Sequence, residues 1–274
     1  MITNRWSWRQ ELNKTNILKF SQNLEQNIQE EIEEAYPYDW DENYITRRLC
    51  RALRKISYSQ IELQNTFANV FIAAFKLKGT NENKFGDIGI VLDLQFKDSD
   101  RIKGVAFLEA KMRYDNSNDY TALKWDQLRR LYSNAPSSRL LLYNYHPMSS
   151  LAPTGIDSKS GGAGLLPKLP ATYTSVIPIN TAIHVYKKND RLHKISIPFS
   201  YQFAFRYLFG MDLEFDEEKI DAAKGYLRGN NGLPDYTIMV TVTPGKRDEK
   251  EAAFPELNIN RELYGEIQDT DNLG

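Results

Sequence analysis

The chain has 274 residues, with 35 Lys+Arg against 36 Asp+Glu and a single cysteine. That length suits one large or two small domains and is enough to bury a core. The near-neutral charge excludes a protein coated in positive charge but leaves room for a locally basic face, and a lone Cys50 excludes an intrachain disulfide or a cysteine-held zinc.

The N-terminus, MITNRWSWRQELNK, has no apolar stretch after its charges, so a secretory leader is not expected. No apolar run approaches the roughly 18 residues that span a bilayer. The expectation is a cytoplasmic protein without a membrane partner. In LKFSQNLEQNIQEEIEEAY, Leu18, Leu24, Ile28 and Ile32 give helical spacing, and acids crowd the end. Pro37 stops that helix. Asp41 is a candidate N-cap for the next one, ENYITRRLCRALRKI, where Ile45, Leu49, Ala52, Leu53 and Ile56 form one stripe. Three strand-like runs follow at 69–79, 87–96 and 104–114. The polar connector KDSDRIKG predicts an antiparallel hairpin of the last two. A helical segment at 120–134 leads to a short apolar strand, RLLLYNYH, at 139–146.

Residues 147–172 are rich in Ser, Gly and Pro and predict a mobile loop. The stretch lacks the GK[ST] ending of a phosphate loop. Strand-like runs return at 176–186, 192–199 and 236–243, with a helix over 216–229. The expected division is an N-terminal helical extension (1–40), a core (41–146), the loop (147–172), a sheet extension packed on the core (173–245) and a charged tail (246–274). The fold class is α/β, a mixed sheet flanked by helices. Three histidines (His146, His184, His193) without HExxH, and the absence of GxSxG, argue against zinc or serine hydrolysis.

The chemistry concentrates in GDIGIVLDLQF…FLEAKMRY…WDQLRRL. Alternation along a strand puts Glu109 and Lys111 on one face, in a string otherwise apolar, where unpaired charges are costly. Asp87 opens the partner strand and supplies a second carboxylate. Asp93, six residues on, shares its face and is a rival, depending on where the hairpin turns. Two carboxylates at an open position suit Mg²⁺ or Mn²⁺ better than zinc. The plain alternative is an exposed ion pair beside Arg113 on an amphipathic strand.

This pattern resembles the PD-(D/E)XK nuclease superfamily, with its restriction-endonuclease-like α-β-β-β-α-β core. In that motif an acidic residue opens the second strand and (D/E)-x-K sits on the third. Here Gly86 stands where the motif has proline. The resemblance covers residues 41–146 and leaves the additional C-terminal strands and helix, read from the sequence pattern, outside the core. It implies a Mg²⁺-dependent nuclease, with Mn²⁺ able to substitute. Asp87 and Glu109 would be metal ligands, with the Ala110 carbonyl and Glu42 completing the shell. Lys111 would orient water or stabilise charge, and Gln127 would position a ligand. Arg47, Arg48, Arg51, Arg54 and Lys55 on the first helix read by themselves as one solvated charged face; beside a metal site they, with Arg129 and Arg130 on the second helix, would face nucleic-acid phosphates. The implied substrate is DNA, RNA remaining open, in a restriction or anti-phage defence setting with a homo-oligomer or partner subunits. A non-catalytic scaffold that keeps the fold is the alternative. The four tryptophans and Cys50 read as packing.

Overall fold

In a computed structural model of the chain, residues 14–62, 67–79, 84–95, 100–115, 120, 124–148, 172–185, 192–193, 195–227, 232–245 and 257–268 are described. Helix α1 (Lys14–Ala35) buries Ile17, Phe20, Leu24, Ile28, Ile32 and Ala35, three- and four-residue steps that keep one stripe against the core. Ile17 and Phe20, rather than the half-buried Leu18, set the start of that stripe. Helix α2 (Glu42–Lys55) begins at Asp41, whose carboxylate accepts from the amides of Asn43 and Tyr44 at 3.0 and 3.2 Å. Its buried stripe is the expected one, Ile45 to Leu53.

Nine strands form one mixed sheet: β1 (Ser59–Glu62), β2 (Phe67–Leu77), β3 (Ile88–Gln95), β4 (Arg101–Met112), β5 (Arg139–Met148), β6 (Thr172–Pro178), β7 (Ile197–Pro198), β8 (Tyr236–Pro244) and β9 (Tyr264–Glu266). Their order is β1-β2-β8-β3-β4-β5-β6-β7, with β9 also on β2. The β3–β4 hairpin is antiparallel, as the polar connector predicts, and β5 runs parallel to β4. Helix α3 (Trp125–Asn134) connects these last two.

Alternation splits the sheet into two faces. Ile88, Ile90, Leu92, Ala106 and Leu108 pack with α1, α2 and α5 (Phe199–Phe205). Val91, Val105 and Phe107 pack on the opposite side with α6 (Glu217–Lys224). Leu140, Leu142 and Ile177 lie under Leu128 and Leu131 of α3 and Ala182 of α4 (Ile179–His184). The result is a helix–sheet–helix sandwich.

Several C-terminal expectations change. The run at 176–186 divides at Pro178 into β6 and α4. Among the described residues of 192–199, only Ile197 and Pro198 are strand. β8 does not extend the sheet at its margin: it lies inside, antiparallel to β2 and parallel to β3. Within the expected tail, Tyr264–Glu266 returns to pair with Phe75–Leu77. The expected loop's residues 149–171 lie outside the described residues.

Two buried ionic features join the helices. Arg48 of α2 donates to Glu31 and Glu34 of α1 at 2.7 and 2.6 Å. Glu25 of α1, 1% exposed, accepts from the Ser200 hydroxyl of α5. Burial pushes the Glu25 carboxyl up to about 7, against the opposing pull of hydrogen bonds from Ser200 and Thr172.

Candidate active site

Asp87 immediately precedes β3. The register pairs Ile88 with Leu108, so Asp87 stands opposite Glu109. Opposed residues share a face of the sheet, and Lys111, two positions beyond Glu109, shares it too. The same register separates the two aspartates that periodicity leaves open. Asp93 pairs opposite Lys103 and is bound by the Arg101 guanidinium, about 20 Å along β4 from Glu109 at the ordinary strand rise. Asp87 is the residue brought to Glu109.

Backbone contacts aim Asp87. The Ala110 amide donates to its Oδ2 at 2.7 Å, and its own carbonyl accepts from the Tyr236 amide of β8 at 2.9 Å. Gly86, just before it, has φ +97°, and a Cβ there would stand 2.7 Å from the Leu108 carbonyl oxygen. Proline, locked near φ −65°, cannot take that conformation. The backbone conformation at position 86 therefore excludes proline.

Lys111 is where the charges meet. Its ammonium donates to Glu109 Oε1 at 2.7 Å and to the Ala110 carbonyl at 2.6 Å, and lies 3.6 Å from Glu42 Oε1. Gln127, in the first turn of α3, donates its amide to the same Glu109 oxygen at 2.6 Å. Glu42 opens α2, and that end is pinned twice. The Tyr236 hydroxyl donates to the Asn43 carbonyl at 3.0 Å. The Tyr143 hydroxyl donates to Thr46 Oγ1, which donates to the Glu42 carbonyl. Tyr236, Tyr143 and Thr46 are positioning residues that sequence reasoning missed. Tyr143 lies in the expected buried strand, where a hydroxyl needs a partner, but nothing in the sequence joins Tyr236 to α2.

The electrostatics follow from burial. Glu109 is 1% exposed. Burial first, and the Asp87 charge second, push its carboxyl well above the usual range despite the opposing Lys111 ammonium. Burial alone would lower Lys111, but Glu109, Asp87 and Glu42 outweigh it and raise the ammonium above its ordinary value. The groups that accept from or face Lys111 are carboxylate and carbonyl oxygens, the hard set that suits Mg²⁺. Their gathering around an ammonium shows that this corner stabilises positive charge. Among the described residues no three Asp, Glu, His or Cys side chains form a ready metal cage. Lys111 stands between them.

The basic residues of α2 do not form one surface. Arg48 is buried and held by Glu31 and Glu34, which removes it from the set expected to meet phosphate. Lys55 pairs with Glu31 at 2.8 Å, and Arg54 donates to the Ile267 carbonyl. Arg47 and Arg51 are half-buried. Arg129 and Arg130 are exposed on α3, two and three residues beyond Gln127. The signal for Arg48 was present: 45, 48 and 52 share one helix face, and the acidic end of α1 supplies its partners.

Comparisons with known protein families, curated proteins and solved structures return no match.

Proposed function

We propose that this chain is a divalent-metal-dependent nuclease of the PD-(D/E)XK type. The observation that carries the reading is the hairpin that sets Asp87 opposite Glu109, with Lys111 on the same face. Gln127 and Glu42 add to it by reaching the same corner from two helices. The element order around the hairpin also supports it, although β8 interposes between β2 and β3.

Asp87, Glu109 and the Ala110 carbonyl would hold Mg²⁺, with Glu42 at the margin and Mn²⁺ able to substitute. Such an ion acidifies water and offsets charge developing on phosphate oxygens. The Ala110 amide keeps Asp87 turned toward Glu109, and Gln127 keeps Glu109 in one rotamer. Lys111 would leave the carboxylates as the cation arrives, and its ammonium would then orient the attacking water or stabilise the phosphorane charge. Arg130, three residues beyond Gln127 on the same helix, shares its side and would meet a phosphate backbone approaching Gln127. DNA is the first substrate implied by the resemblance.

The test is cleavage of plasmid, linear duplex, single-stranded DNA and RNA with Mg²⁺, beside Glu109→Gln. Metal-dependent cleavage that disappears in the variant supports the proposal, and no cleavage of any substrate overturns it. A non-catalytic interaction protein is the second reading, favoured by the lysine already filling the space between the carboxylates. Melting that is indifferent to Mn²⁺ would support it.

A further inference from the structure

An aromatic and cationic cluster borders the same corner. Tyr36, at the end of α1, stacks on Tyr145 of β5, with ring centroids 4.6 Å apart and planes 8° from parallel. Trp40 meets both rings edge-on, at 5.7 and 5.6 Å. The Arg113 guanidinium lies 5.1 Å from the Tyr145 centroid and donates to Asn144 at 3.1 Å. His146 tilts against Tyr145 at 4.5 Å. The Trp40 indole donates to the Arg113 carbonyl at 2.7 Å, fastening the α1–α2 turn to the end of β4.

Two features set this cluster apart from ordinary core packing. It remains open: Tyr145 is buried as the floor, but Tyr36 and Trp40 are half-exposed and His146 is exposed. In the same two segments Tyr38 is 95% and Tyr114 45% exposed. It is also continuous with the candidate site. Trp40 is two residues before Glu42, and Arg113 is two beyond Lys111, just past the end of β4 and about 7 Å along the chain at strand spacing. Lys111 pairs with Leu142, whereas Tyr145 shares the opposite face of β5 with Leu141 and Tyr143, so a chain leaving Lys111 reaches these rings by rounding the end of the sheet.

We propose that this ledge stacks an unpaired base next to the bond cut at the candidate site, so that the substrate is single-stranded there. The choice of ligand rests on the nuclease reading. Flat aromatic faces backed by a guanidinium match the π-faces of bases and carry no preference among them. The Asp115 carboxylate on the Tyr36 hydroxyl disfavours a phosphate at that ring, whose open face is left for a base. Asp115 accepts a hydrogen bond from the Tyr36 hydroxyl at 2.8 Å, and stacking on Tyr145 holds the ring itself. Paired bases present no free face, so the interior of a duplex gains nothing from the ledge.

Binding in EDTA separates this proposal from catalysis. The probes are fluorescein-labelled oligothymidylate, its oligouridylate counterpart, an abasic strand of equal length and a blunt duplex. The proposal expects the wild type to hold base-bearing strands more tightly than the abasic one. Tyr36→Ala and Tyr114→Ala should each weaken oligothymidylate binding about ten-fold, the loss of roughly one stacked base. That ratio should not change with salt, unlike a phosphate contact. Tyr36→Phe keeps the ring and should bind nearly as the wild type, which guards against a folding defect in Tyr36→Ala. Equal binding of abasic and normal strands, or unchanged binding in both alanine variants, overturns the proposal. Cleavage is scored separately on the same preparations. Intact cleavage with unchanged alanine variants removes the ledge and leaves the nuclease, whereas base-dependent binding without cleavage removes the nuclease and leaves a single-strand binding surface.

Discussion

Replacing Gly86 with alanine should uncouple the candidate site while the rest of the molecule stays folded. The new Cβ would stand 2.7 Å from the Leu108 carbonyl oxygen, where ordinary contact begins near 3.4 Å. The β4 backbone beside Glu109 must therefore retreat by about 0.7 Å, because a packed strand offers no free space. A comparable shift would stretch the 2.7 Å bond from the Ala110 amide to Asp87 close to the limit of hydrogen bonding. The left-handed φ contributes about 1–2 kcal/mol, and the weakened charge-assisted bond about 1.5–3 kcal/mol. Together these lower the melting temperature by about 10 °C for a chain of this size. Gly79 is the control: its φ is +112°, and a Cβ there meets no atom within 4 Å. Gly79→Ala should lose only the backbone contribution, about 5 °C or less. Far-UV circular dichroism melts and Mg²⁺-dependent cleavage, assayed well below both midpoints, separate the two. Cleavage should fall at least ten-fold in Gly86→Ala and hold in Gly79→Ala. Identical melts and identical cleavage for both variants would refute the close approach as the reason for glycine at 86.

Lys111→Ala should keep or tighten Mn²⁺ binding, because the ammonium competes with a cation for Glu109 and Glu42, while cleavage falls by about two orders of magnitude or more. Calorimetric titration beside a cleavage assay reads both, and wild-type cleavage in this variant would remove the lysine from the mechanism. Glu25→Gln tests the buried carboxyl. Its folded value, raised from 4.5 to about 7, gives a proton-linked contribution to stability that is complete below pH 4.5 and lost as pH rises through 7. The variant should therefore gain on the wild type between pH 5 and 8, by about 3 kcal/mol at most, and parallel melting profiles across that range would contradict the assignment. Arg48→Met leaves the buried Glu31 with Lys55, at 2.8 Å, in place of two cationic partners and should destabilise by about 1.5–3 kcal/mol, the loss of a charge-assisted hydrogen bond, with nucleic-acid binding per folded molecule unchanged. Arg129→Ala with Arg130→Ala should instead weaken binding and flatten its salt dependence without lowering the melting temperature.

What the sequence made legible was local. Asp87, Glu109 and Lys111 are related by the two-residue period of one hairpin, so alternation alone puts them on a common face. Choosing Asp87 over Asp93 needed the register, which depends on the turn and not on the strands' composition. Glu42 and Gln127 were readable from helical spacing, since each lies near the buried side of its helix at the end facing the sheet. The place of β8 was not readable, because strand order records contacts between distant segments and leaves no periodic trace. Tyr236 is therefore invisible as a positioning residue until the sheet is assembled. Arg48 shows a different failure: five basic residues in nine read as one charged face, although the helix turns them to different surroundings.

The position of β8 also sets when the candidate site can come into being. β2 and β3 leave the ribosome long before Tyr236–Pro244, the strand that joins them. At about 5–20 residues per second, the interval is on the order of ten seconds. The β3–β4 hairpin can close locally in that time, but β2 and β3 each keep an edge without its neighbour, the exposure that invites mispairing. Asp87 still lacks the Tyr236 amide, and the first turn of α2 lacks the Tyr236 hydroxyl. The candidate corner is thus completed by one of the last strands to be synthesised, so a nascent or shortened chain carries its carboxylates and lysine without the frame that brings them together.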